Sequence, residues 1–187
     1  QFINPFSYFL IAHNDYGDDV IADKSYSSNT LADTNNGALL FKEEILQDIL
    51  VWGSVSSSFS YGVSASNPTN TKCLSRLPND ENGNGQNTGD NSVDFVERVC
   101  NPQNSFSPSR PLWEPTTTTD PGTTTDPGTD SPTTTPSSTP EIDFSFWTSI
   151  KINEFACAPQ GDENEWVEFY NISTTSLDLS GGYLCDD

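Results

Sequence analysis

Apolar and polar side chains alternate along residues 71–77 (TKCLSRL) and 93–99 (VDFVERV), the period of a strand with one buried face. Residues 7–13 (SYFLIAH), 38–42 (ALLFK) and 47–52 (QDILVW) are aromatic and β-branched enough to be strands as well. Clusters of Asn, Asp, Gly and Ser, such as 33–37 (DTNNG), separate these runs. The β pattern returns near the end, in 149–155 (SIKINEF), 165–170 (EWVEFY) and 177–184 (LDLSGGYL), with a turn signal at 158–162 (APQGD). Helix is favoured locally only over 41–50, through Glu43, Glu44 and Leu46. The β pattern on both sides makes that stretch a hairpin instead. The expected class is all-β, with Trp52 and Trp166 as core residues from either end of the chain.

The β-patterned portions, 1–112 and 142–187, are separated by a segment of different character at 113–141. There the unit TTTDPGT repeats imperfectly, and after Trp113 no large apolar side chain is present to build a core. Such a segment cannot recover its ordering entropy by burial. Proline and β-branched threonine make it stiff and extended, about 3 Å per residue in a polyproline-like form. It reads as a linker, with the composition of an O-glycosylated secreted stalk. Trp113 and Trp147 flank it, where the chain leaves and rejoins folded material.

Charge narrows the classes. The chain carries 27 acidic and 7 basic residues, a formal net charge of −20. Phosphate-backbone recognition rests on Lys and Arg, so no nucleic-acid partner is expected. An anionic membrane surface repels the chain for the same reason. No run of 18 or more apolar residues is present, so no membrane insertion is expected either. His13 is the only histidine, which leaves little room for His-based catalysis or a zinc site and makes it a satisfied or exposed strand residue. Methionine is absent, including at position 1, so a processed start or an excerpt from a longer chain is expected.

The four cysteines, Cys73, Cys100, Cys157 and Cys185, show no C-x-x-C spacing, against a zinc ribbon or a thioredoxin-type motif. In this composition they indicate an oxidising compartment and two disulfides. Pairing Cys73 with Cys100 and Cys157 with Cys185 staples each portion internally; either crossed pairing joins the portions covalently.

One constellation suggests a cation. Asp80, Asn82, Asn84 and the following glycine match the start of a calcium loop, with Gln86 and Asp90 as further oxygen donors. Asn91 stands where the bidentate Glu would be, and the flanking elements are strands rather than helices. The competing reading is a metal-free Asn/Gly-rich hairpin loop. Glu154, Glu165 and Glu168 resemble paired carboxylates for glycoside hydrolysis. On alternating strands they are expected instead to face solvent, beside buried Ile152, Trp166 and Phe169. The serines of 54–60 lack a G-x-S-x-G context, and no catalytic residue is assigned. Asn171-Ile-Ser173 is an N-glycosylation sequon.

Ile152-Asn-Glu-Phe155, Asp162, Glu165-Trp-Val-Glu-Phe-Tyr-Asn171 and Leu177-Asp-Leu-Ser-Gly181, followed by Tyr183, Leu184 and Asp186, closely resemble the start of a lamin-tail domain. The rest of that family's pattern stands earlier in the chain. Pro5-Phe-Ser-Tyr-Phe-Leu-Ile11 looks like its "PG-YFLI" strand, with Phe6 in place of glycine. Gly37–Phe41 and Gln47–Gly53 resemble its next hairpin, and Cys73–Arg76 with Val93–Phe95 its closing strands. The resemblance implies an immunoglobulin-like β-sandwich, split or circularly permuted: 1–112 is the C-terminal portion of such a domain and 142–187 the N-terminal portion. It also implies a non-catalytic module of extracellular or cell-surface proteins.

Three arrangements explain the order. The chain is an excerpt of a tandem array, or folds back on itself, or passes its C-terminal strands to a neighbour. The linker's reach of roughly 80 Å if extended permits the last two. Strand exchange is the expected form. Its unlike donor and acceptor surfaces generate a head-to-tail assembly of copies of the chain. The expected function is therefore a structural subunit of an extracellular filament or surface fibre. The alternative is a surface- or carbohydrate-binding accessory module of a secreted protein or enzyme.

Overall fold

The computed structural model describes residues 1–17, 19–27, 34–55, 62–69, 71–114, 149–156 and 165–186. The expected segment at 113–141 and Cys157 therefore lie almost entirely outside the described residues, as does Trp147. The described chain is mostly strand, as the alternation predicts, with one helical turn.

Eleven strands follow in order: β1 (Phe2–Ile3), β2 (Tyr8–His13), β3 (Lys24–Tyr26), β4 (Asn36–Lys42), β5 (Ile45–Trp52), β6 (Cys73–Arg76), β7 (Phe95–Arg98), β8 (Ile150–Ala156), β9 (Trp166–Asn171), β10 (Leu177–Asp178) and β11 (Gly182–Asp186). The helical turn α1 (Asn91–Asp94) precedes β7. A six-stranded sheet runs β3-β2-β9-β8-β6-β7, a three-stranded sheet β11-β4-β5, and β1 pairs with β10. All named pairings are antiparallel except β2 with β3.

The two larger sheets share one core. Phe9, Leu74, Ile152, Phe155, Val167 and Phe169 from the six-stranded sheet meet Ala38, Leu40, Leu50 and Trp52 from the three-stranded sheet. Trp52 is fully buried and its ring lies 4.8 Å from that of Phe155. A second cluster, Leu10, Ala12, Cys73, Ala156 and Trp166, is joined by Tyr16, Val20, Ala22 and Cys100. Alternation along β2 explains both: Phe9 turns to the shared core and Leu10 to the opposite face.

Residues 100–113 form a strap across that opposite face. The Cys73–Cys100 disulfide ties its start to β6. Arg110 N donates to Phe6 O (2.9 Å), Tyr170 Oη donates to Arg110 O (2.7 Å), and Trp113 N donates to Asn84 O (2.7 Å). Asp23 fastens the middle, accepting from Leu10 N (2.8 Å) and Ser105 N (2.9 Å). The strap thus gives this sheet a second buried face, which the sequence reading leaves to solvent.

The 41–50 stretch is the hairpin expected, β4 to β5, turning at Glu43 (φ 50°) and Glu44 (φ 64°). Two consecutive left-handed residues make the tight turn whose twist matches the strands it joins. The strand expected at 93–99 begins instead with α1. Asp90 caps it, accepting from Ser92 N (2.9 Å), and buried Asn91 seals β5 by accepting from Val51 N (2.8 Å) and donating to Ile49 O (3.1 Å). The run at 177–184 divides into β10 and β11 around Gly181, whose φ of 74° favours glycine.

Candidate functional site: the seam between the two portions

Each strand after residue 148 pairs with a strand before residue 115: β8 with β6, β9 with β2, β10 with β1 and β11 with β4. All four pairings are within the one chain described. β8 and β9 occupy the middle of the six-stranded sheet, between β2 and β6. The seam is therefore internal, and side chains that belong to neither ladder complete it.

β6 and β8 hold only two register pairs, Leu74 with Phe155 and Ser75 with Glu154. Beyond them the strands part, and two charged side chains stand in for the missing ladder. Asp48 of β5 accepts from Ile152 N (2.8 Å), and Arg76 of β6 donates through Nε to Ile152 O (2.7 Å). Arg76 Nη2 also donates to Asp48 Oδ2 (2.5 Å), and Nη1 to Gln86 O (2.8 Å). Lys151 completes the cluster, its Nζ 3.6 Å from Asp48 Oδ1. All three side chains are fully buried. The Arg76 guanidinium stacks over the Phe95 ring at 4.4 Å, a favourable place for a weakly hydrated cation. Burial pushes the Lys151 amine below its ordinary range; the Asp48 charge opposes this and the Arg76 charge adds to it.

A second buried polar group lies under the strap. Glu154 and Glu168, partners in register on β8 and β9, are both fully buried. This corrects the expectation that they face solvent. The irregularity between Ile152 and Glu154 and the strap together enclose them. Glu154 Oε1 accepts from Ser75 Oγ (2.9 Å) and Asn101 N (3.2 Å). Glu168 accepts from Gln103 N and Asn153 Nδ2, both 2.5 Å. Burial raises the Glu154 carboxyl to about 7. Glu168 is raised well above its ordinary value, first by burial and then by the charge of Glu154. Glu165 is separate, at the sheet margin, within 3.4 Å of Tyr26 Oη.

The residues picked out from sequence for a cation have separate partners. Asp80 Oδ1 accepts from Asn82 N (2.8 Å) in a tight turn. Asn84 is fully buried, accepts from Gly85 N (2.7 Å) and reaches Tyr8 Oη (3.5 Å). Gln86 Nε2 donates to Val93 O (2.9 Å). Asp90 caps α1, and its bond from Ser92 holds the carboxyl below its usual value. Among the described residues, no group of three or more His, Cys, Asp or Glu side chains is placed to hold a metal ion.

Asn171 is likewise not placed as an acceptor for a glycan. Its Nδ2, the atom a sugar would occupy, is buried and donates to Asn4 O (3.0 Å), Thr175 O (2.8 Å) and Ile3 O (3.2 Å). The side chain holds β1 and the 172–175 turn against β9. Of the cysteines, Cys73 and Cys100 form the internal disulfide that was one of the expected pairings. Cys185, half-buried on β11, has no disulfide partner among the described residues. His13 closes β2 with its ring edge-on to Tyr26 at 5.6 Å.

The seam's charged residues were missed from sequence. Lys151 sits between Ile150 and Ile152, and Asp48 between Gln47 and Ile49, inside runs read for their apolar members. A charge within a strand otherwise buried on both faces was the available signal. No helix among the described residues is long and apolar enough to cross a membrane. Comparison of the chain with protein-family models, with curated proteins and with solved structures finds no match.

Proposed function

We propose that the chain is a non-catalytic structural module of an extracellular filament or surface fibre. In this reading it is a lamin-tail-like, immunoglobulin-type β-sandwich in permuted order, whose C-terminal strands can complete the sheets of a neighbouring copy. The observation that carries it is the position of β8 and β9. They are central in the six-stranded sheet, yet they follow a Thr/Pro/Asp-rich segment free of core-forming residues. Withdrawn from the sheet, they leave β2 and β6 with open edges and the shared core without Ile152, Phe155, Val167 and Phe169. Open edges above an apolar face require a partner.

A partner strand from the same chain or from a neighbour makes identical contacts, so the choice rests on linker entropy and concentration. Unlike donor and acceptor surfaces give a chain of beads that need not close. The resemblance to lamin-tail sequences, the disulfide and the strongly acidic composition support a secreted, non-catalytic role without a nucleic-acid partner. Phe6 adds support: it stands where the family pattern has glycine, and its φ is 53°.

The test is refolding of the full chain at increasing concentration, followed by light scattering and negative-stain imaging. Linear oligomers of evenly spaced beads, growing with concentration, are expected. A compact monomer at every concentration overturns strand exchange.

A further inference from the structure

We propose that Lys151 and Asp48 condense with each other to form an amide bond, a covalent tie between the two portions of the chain. The amine and carboxyl stand at 3.6 Å, Lys151 on β8 of one sheet and Asp48 on β5 of the other. Neither side chain is exposed. That distance is from Nζ to Oδ1, and holding an amine beside a carboxyl in this way lowers the entropic barrier to joining them.

The surroundings separate the two carboxylate oxygens. Oδ2 accepts from Arg76 Nη2 and from Ile152 N, while Oδ1 faces the amine and accepts no hydrogen bond among the described residues. Two donors fixed on one oxygen form the arrangement that stabilises a developing oxyanion. Burial favours the neutral amine, the nucleophilic form of lysine.

The step balances without any further reagent. One ammonium proton moves to Oδ1, leaving a neutral amine and a carboxylic acid. The nitrogen lone pair then attacks Cγ, forming the N–C bond, and the carbonyl electron pair moves onto Oδ2 between its two donors. Collapse restores the C=O bond and breaks Cγ–Oδ1. That oxygen takes a second proton from nitrogen and leaves as water. A cation and an anion become one neutral amide, which removes two buried charges from a site that excludes solvent. Asp94, also fully buried, adds to the field at Lys151.

Intact-mass measurement of the full chain, reduced and denatured, tests the bond. The expected mass is lower than that of the sequence by one water. Proteolysis is then expected to yield a branched peptide in which the segment containing Lys151 is attached to the segment containing Asp48. Lys151→Arg should restore the full mass. Asp48→Asn should change the loss from water to ammonia, a readout that a merely structural ion pair does not produce. The wild-type measurement stands even if a variant fails to fold. Full sequence mass with only linear peptides, after prolonged incubation from acidic to mildly alkaline pH, overturns the proposal. A water loss mapped to another residue overturns it equally.

The bond follows from the contact between β5 and β8 and is independent of the fibre reading. Where β8 belongs to a neighbour, the same bond joins two chains and appears as a ladder resistant to hot detergent. A single monomeric band lacking one water supports the bond while counting against strand exchange.

Discussion

On one side of β8, Asp48, Arg76 and Lys151 bring opposite charges together; on the other, Glu154 and Glu168 bring like charges together. Burial is complete in both places, so burial alone does not decide what each does. In the first, attraction and hydrogen bonding to the backbone offset desolvation. In the second, desolvation and repulsion act together, and protonation is the available relief. The first cluster therefore holds the seam at neutral pH, whereas the second weakens it as its protons leave.

Removing the central cation should break the comparison with the largest effect. Arg76→Met takes away the donor to Asp48, to Ile152 O and to Gln86 O at once. A loss of about 3–5 kcal/mol is expected in chains whose Asp48 carboxylate is free, as when one partner of a buried ion pair is removed. Urea unfolding at neutral pH measures it. An unchanged midpoint would show that Arg76 does not hold the seam.

The strap over the carboxyl pair is next. Its disulfide spans 27 residues. Replacing Cys73 and Cys100 together with alanine should cost about 3–4 kcal/mol through the freed unfolded chain. It should also admit water to Glu154 and Glu168, so the pH dependence described next should shrink in the same variant. Thermal melting at two pH values reads both effects.

The carboxyl pair itself sets a sign. Glu154 is raised from 4.5 to about 7 by burial, so the folded form binds its proton more tightly than the unfolded chain does. Its stabilising contribution is complete below the unfolded value and is lost as pH rises through about 7. Glu168, raised by burial and by Glu154, acts in the same direction. Stability should therefore fall by about 2–4 kcal/mol between pH 4.5 and pH 8 on account of Glu154, with Glu168 adding in the same direction. Glu154→Gln should flatten the profile and stabilise the protein at pH 8, since the amide keeps an acceptor for Ser75 and Asn101. Denaturant midpoints across that range decide it; a profile unchanged by the substitution would remove the carboxyl pair from the explanation.

Much of this fold was legible in the sequence because its strands alternate or run apolar between strong turn signals. The seven expected strands before the last all appear within a few residues of their predicted places, and the eighth divides at Gly181. β1 and β3 are too short for periodicity to register. They exist through pairing with β10 and β2, which are distant in sequence. The start of 93–99 alternates like a strand, but the cap at Asp90 and the work of Asn91 at the β5 edge turn it into α1. The seam was legible only as an order of motifs. Glu154 and Glu168 lie at positions that a sheet buried on one face leaves exposed, and a strap joined from a distant part of the chain buries them, while Lys151 is buried beside Asp48 of the other sheet. Local pattern cannot report a cover supplied across such a separation.

The smallest change touches neither cluster and so calibrates the others. Glu43 and Glu44 both adopt left-handed backbone, at φ 50° and 64°, where side chains other than those of Gly and Asn are strained. Their choice of turn comes from the strands around them rather than from their own preference, and helix is what they favour locally. Glu43→Asn with Glu44→Gly supplies residues suited to that turn. The double change removes the contact from Tyr183 Oη to Glu44 (3.2 Å), but this lies at the exposed surface. A net gain of about 1 kcal/mol is expected, from relieved backbone strain and one less like-charge neighbour. The rise in melting temperature should be the same at pH 5 and pH 8, apart from the small effect of the lost surface charges. A gain confined to one pH would mean that the hairpin communicates with the carboxyl pair, and the separation of the two regions would have to be redrawn.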